Sequence, residues 1–139
     1  MSYEEKRTWI YLVTSLAAYL VYVVIVWQRA LHSPVSDVHY VAVMLWTALA
    51  SMLAGVMLGT VVETARPSES RRADVRDKDI ARSGEYASRW CIVAGAAAGL
   101  FMAMAKWDYF WIANTIYLGF VLWAVVGSAV RLVAYRRGI

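Results

Sequence analysis

Apolar residues fall in four stretches of about 20 residues each, separated by short polar clusters, and this block pattern predicts membrane-spanning helices. The first stretch runs from about Trp9 to Trp27, with an indole at each end where an amphipathic ring favours the bilayer interface. The others run from about Tyr40 to Val62, Trp90 to Ala105 and Tyr109 to Val130. Segment 28–39 carries Arg29, His32, Pro34, Ser36 and Asp37 and is long enough only for a short connection; Lys106-Trp107-Asp108 makes a tight turn. The expectation is an all-α polytopic membrane protein: one four-helix domain over residues 1–139.

The segment from Glu63 to Arg89 breaks the pattern. It holds Pro67 and seven basic residues, too many charges for membrane burial, and reads as a soluble loop. Within it, 73–89 has no proline and one glycine. Asp74 with Lys78, Asp79 with Arg82 and Glu85 with Arg89 lie at helical spacing. A juxtamembrane helix running into the third span is predicted.

Composition agrees: with 61% apolar and 17% charged residues and a mean hydropathy of +0.51, a soluble domain could hardly cover its surface. The net charge of +4 does not point to nucleic acid, because the basic residues flank the apolar stretches and act as topology signals. Lys6, Arg7, the seven basic residues of 63–89, Arg131, Arg136 and Arg137 lie on one side, against Arg29 and Lys106 on the other. The positive-inside rule therefore places both termini and the 63–89 loop on the cytoplasmic side of the membrane. Lys6 and Arg7 precede the first stretch as in a signal peptide, but it continues into Gln28-Arg29 with no small-x-small cleavage site, so it is read as a retained helix.

Small residues recur every four positions in two helices: Ser51, Gly55 and Gly59 in the second, and Cys91, Gly95, Gly99 and Ala103 in the third. Such rows let helices approach closely in lipid, and here they either pack the second and third helices together or form a subunit contact. Cys91, the single cysteine, excludes an internal disulfide and a Cys-x-x-Cys pair and reads as a small packing residue. The first helix aligns Tyr11, Ser15, Ala18, Tyr19 and Tyr22 on one side; the fourth offers Asn114, Tyr117, Val121 and Ser128, with Arg131 at its end. Tyrosine hydroxyls and a buried amide need partners, so these faces either pack against another helix or line a polar pathway.

Catalytic and cofactor signatures are missing. There are no paired cysteines for quinone-coupled disulfide chemistry and no intramembrane histidines for haem. The first helix has no carboxylate of the kind small multidrug exporters use, and no glycine-rich and Asn/Phe fluoride-channel signature, potassium filter, P-loop or nucleophile elbow occurs. His32, His39 and Asp37 are weak metal-ligand candidates in an interfacial loop. No enzyme activity, cofactor or metal is expected.

Arg76-Asp77, Ile80 and Tyr86, the run Asp108-Tyr109-Phe110-Trp111-Ile112-Ala113-Asn114 and the closing Tyr135-Arg136-Arg137-Gly138 resemble uncharacterised small bacterial four-helix inner-membrane proteins that carry an acid-Arg-Asp sequence before a helix. The resemblance covers about 65 residues of the second half and is faint over the first two helices; Val75 stands where the acid belongs. It implies a membrane topology and a regulatory partner, but no activity.

Two functional expectations follow. The first is a non-enzymatic scaffold or regulator, a homo-oligomer in the lipid bilayer, engaging a cytoplasmic protein through Arg76, Asp77, Lys78, Asp79 and Arg82, with no direct nucleic-acid binding. Those charges also suit intramolecular pairing or lipid contact. The alternative is an oligomeric channel or transporter with Asn114, Tyr19, Tyr22 and Ser128 along its pathway.

Overall fold

The computed structural model describes residues 3–34, 37–64 and 75–137. They form four α-helices: α1 (Tyr3–Ala30), α2 (Val41–Thr64), α3 (Val75–Met104) and α4 (Tyr109–Arg137). Each is long and apolar enough to cross a bilayer, and the chain is a multi-pass membrane protein. At 1.5 Å per residue the helices reach about 36–45 Å, longer than the roughly 30 Å of hydrocarbon. This explains why α1 begins before Trp9 and α4 continues past Val130: backbone hydrogen bonding carries the helix through the polar flanks, whereas hydropathy marks only the apolar portion.

The largest extension is in α3. Residues 75–89 and the apolar stretch after them are one uninterrupted helix, so the predicted juxtamembrane helix is the first half of α3. Its expected start at 73–74, with Asp74, lies outside the described residues. The predicted pairs within it take another form. The Arg82 and Arg89 guanidinium groups lie 5.7 and 5.1 Å from the Tyr86 ring centroid, and among the described residues no ion pair joins Asp79 to Arg82 or Glu85 to Arg89. A cation over an aromatic face keeps both groups hydrated at an exposed helix surface, where an ion pair contributes little.

The turn between α3 and α4 is built from backbone rules. Lys106 takes a left-handed φ of 57°, Trp107 N donates to Met102 O at 3.0 Å and Lys106 N to Ala103 O at 3.1 Å, which is a Schellman ending with lysine where glycine is usual. Asp108 then caps α4, accepting from Phe110 N at 2.9 Å. Four residues reverse the chain, and α3 and α4 become antiparallel neighbours.

The helices pack in the order α2, α1, α4, α3, with α1 and α4 central. This corrects the expectation that the two small-residue rows pack α2 on α3. Short connections force α1 against α2 and α3 against α4, so each row meets its own hairpin partner. A Cβ added at Gly55 would lie 2.8 Å from Tyr11 Cε1 of α1; one at Gly95 would lie 2.8 Å from Gly119 Cα, and one at Gly99 2.6 Å from Ile116 Cγ1, both of α4. The α2 row is therefore a groove for a tyrosine ring. The α3 row meets α4 backbone to backbone at Gly95 and takes the Ile116 side chain at Gly99, and the seam is continued by Gly84 and Ser88 against Gly127. Cys91 is half-buried at that seam, its carbonyl beside Gly119.

The apolar core sits at the end of the helices away from the termini. Tyr22, Val26, Val38 and Phe110 are buried there, with Tyr40, Met44 and Tyr117 against them. The outer faces of α2 and α3 keep Trp46, Met57, Trp90, Phe101 and Met104 exposed, as suits helices whose solvent is lipid.

Candidate functional site

Polar groups inside the helices gather in two places, and the tyrosine face of α1 runs between them. Thr8, Tyr11, Ser15, Tyr19 and Tyr22 recur at intervals of three and four, so they share the side of α1 turned toward the other helices.

At the core end, the Tyr22 hydroxyl donates to Asn114 Oδ1 at 2.6 Å, and Asn114 Nδ2 donates to Phe110 O at 2.8 Å. Asn114, expected to bond across to another helix or to face water, bonds across. Tyr22 is 1% exposed. Tyr19, Tyr22 and Tyr117 stack around the bond with centroids 5.1–6.3 Å apart, and the Tyr117 hydroxyl lies 3.3 Å from Thr47 Oγ1 of α2. The space is filled by rings. Three of the four pathway candidates thus form one packed, hydrogen-bonded knot joining α1, α4 and α2.

Ser128, the fourth candidate, is elsewhere. It lines a cavity of about 330 Å³ toward the ends of α1 and α4 that carry the chain termini, bounded by residues of all four helices. Its wall carries Thr8, Tyr11 and Ser15 of α1, Ser51 of α2, Ser88 of α3, and Ser128 and Arg131 of α4, with Met52, Val56 and Trp123 as its apolar part. Thr8 and Ser88 donate to the backbone of their own helices, to Glu4 O and Gly84 O, both at 2.8 Å. Arg131 Nε is buried and has no hydrogen-bond partner. Neither Arg131's inward turn nor Ser88's place in the wall was read from the sequence; the available signal was Gly84, the one glycine in the charged half of α3, which gives the arginine stem room.

The charged candidates on α3 divide. The Asp77 carboxylate accepts a hydrogen bond from the Tyr135 hydroxyl of α4, with Glu4 and Arg131 nearby. Lys78, Asp79 and Arg82 point outward and are exposed, in line with Glu85, Tyr86 and Arg89. The side chain of Arg76 lies outside the described residues. Between α1 and α2, Arg29 donates to the backbone carbonyl of His39, and His32 Nδ1 sits 2.9 Å from Gln28 O. Among the described residues no group of three or more His, Cys, Asp or Glu side chains gathers as a metal site.

Set beside protein-family models, curated proteins and solved structures, the chain matches none.

Proposed function

We propose that the chain is a non-enzymatic scaffold or regulatory protein of the bacterial inner membrane, homo-oligomeric, which engages a cytoplasmic protein through the charged turns of α3. The observation that carries this reading is the continuity of α3. Residues 75–89 are helical in line with the apolar span, so Lys78, Asp79 and Arg82 stand on a pre-ordered surface about 22 Å long. The Asp77–Tyr135 bond ties that surface to α4. A partner binding there has little ordering entropy to overcome.

The excess of basic residues at the termini and in 63–89 supports a cytoplasmic position for this face. The Tyr22–Asn114 bond, shut among three tyrosine rings, supports a sealed helix packing over a pathway through one chain at Asn114.

The test is site-specific photocrosslinking at position 82 in native membranes. A crosslinked protein that disappears on Lys78→Glu with Asp79→Lys is expected. Absence of any protein adduct, with the charge-reversed chain retaining its phenotype, overturns the proposal. A reporter active only outside the cytoplasm, fused to either terminus, is expected to stay silent.

A further inference from the structure

Arg131 is placed as no topology marker need be. An arginine at the end of a span normally extends its head group toward water, yet Nε of Arg131 is buried without a hydrogen-bond partner beside the cavity. The fold provides for this pose: a Cβ at Gly84 would lie 2.6 Å from Arg131 Cγ and 2.9 Å from its Nε, so only a glycine lets the stem cross α3 there. A guanidinium keeps its charge at any pH, and a buried donor of a charged group left unpaired is costly.

The surroundings have the complementary chemistry. Among the described residues no acidic side chain lines the cavity. The nearby carboxylates, Asp77 and Glu4, cluster around Tyr135, and Asp77 is engaged by that hydroxyl. Ser15, Ser51 and Ser128 line the cavity and make no hydrogen bond to another described residue, leaving three hydroxyl protons to donate inward. Thr8 and Ser88 donate to backbone and offer only lone pairs. A cavity whose wall holds a buried, unpartnered guanidinium N–H and several free hydroxyl donors suits an anion with multiple acceptor oxygens.

We propose that this cavity is a binding site for the phosphate or carboxylate group of a small anionic ligand, with Arg131 holding the charge and Ser15, Ser51 and Ser128 the remaining oxygens. At about 330 Å³ it is near the lower limit of ligand pockets, so it admits a head group or small molecule but not a long chain. Met52 and Trp123 accommodate a short apolar portion. The inference is independent of any partner on α3.

Two sources carry this chemistry, an anionic lipid head group and a water-soluble phosphate, and the experiment separates them. The full chain is reconstituted in nanodiscs of phosphatidylcholine alone or with phosphatidylglycerol, and thermal unfolding is followed with inorganic phosphate or with chloride at matched ionic strength. Stabilisation by phosphatidylglycerol alone identifies a lipid site; stabilisation by inorganic phosphate in phosphatidylcholine identifies a soluble anion. Arg131→Gln is expected to weaken the apparent affinity by about ten- to a hundredfold, the worth of a charged hydrogen bond, while Arg131→Lys retains part of it. Should Arg131→Gln fail to fold, Ser51→Ala with Ser128→Ala gives the second reading, a loss of about tenfold. No stabilisation by either anion beyond chloride, or a response unchanged in the folded variants, overturns the proposal.

Discussion

Gly95→Ala tests the packing geometry most directly. The added Cβ would sit 2.8 Å from Gly119 Cα, and because the obstacle is backbone no rotamer change can relieve it. Carbon–carbon contacts relax near 3.5–4.0 Å, so α3 and α4 must separate locally by roughly 1 Å. A gap of that size removes about a quarter to a half of the dispersion energy of each facing pair, and inserting a methyl group into a well-packed contact costs about 1–3 kcal/mol. The better helix propensity of alanine offsets little, since the dissociated helices are already helical in the bilayer. Gly59→Ala is the matched control: its Cβ would meet Tyr11 Oη at 3.6 Å and Arg7 Nε at 3.8 Å, ordinary contact, and a change within about 0.5 kcal/mol is expected. Gly99→Ala falls between, because the Ile116 side chain it meets at 2.6 Å can turn aside. Unfolding in mixed micelles by added sodium dodecyl sulfate, followed by tryptophan fluorescence, ranks the three. A Gly95→Ala chain as stable as Gly59→Ala would refute the backbone seam.

Removing the Tyr22 hydroxyl with Tyr22→Phe orphans Asn114 Oδ1 and is expected to cost about 0.6–1.7 kcal/mol, the range for interhelical hydrogen bonds in lipid; a cycle with Asn114→Leu should return that coupling, and additivity would deny the bond. Asp108→Ala removes the cap on Phe110 N and should destabilise the chain by about 1 kcal/mol in the same titration. Lys106→Gly relieves a left-handed residue and is expected to stabilise by about 1 kcal/mol, whereas Lys106→Val destabilises; the opposite order would contradict the Schellman turn.

The four spans were legible because hydrophobic length alone distinguishes them, and the tight turn at 106–108 because polar residues interrupt two long apolar runs. Partners were not legible. Periodicity put Gly95 and Gly99 on one side of a helix but could not say that Gly119, 24 positions away, faces Gly95. Likewise the amide of Asn114 required a bond, yet its partner Tyr22 is 92 residues distant and was one of several hydroxyls on the same face. Arg131 was misleading for a different reason. A basic residue at the end of a span counts toward orientation whether its head group turns out or in, and only the missing side chain of Gly84 decides that.

The packing order has an architectural consequence. With α2 and α3 on the flanks, the chain is two antiparallel hairpins that meet chiefly where α1 lies along α4. Tyr22 with Asn114 acts as a latch at one end of that line, and Trp9 beneath the Arg136 guanidinium, 6.0 Å from its ring centroid, marks the other. Between them, Ser15 and Ser51 belong to the first hairpin and Ser88, Ser128 and Arg131 to the second. Whatever occupies the space they enclose is gripped by both halves at once, so occupancy and the spacing of the hairpins are one variable.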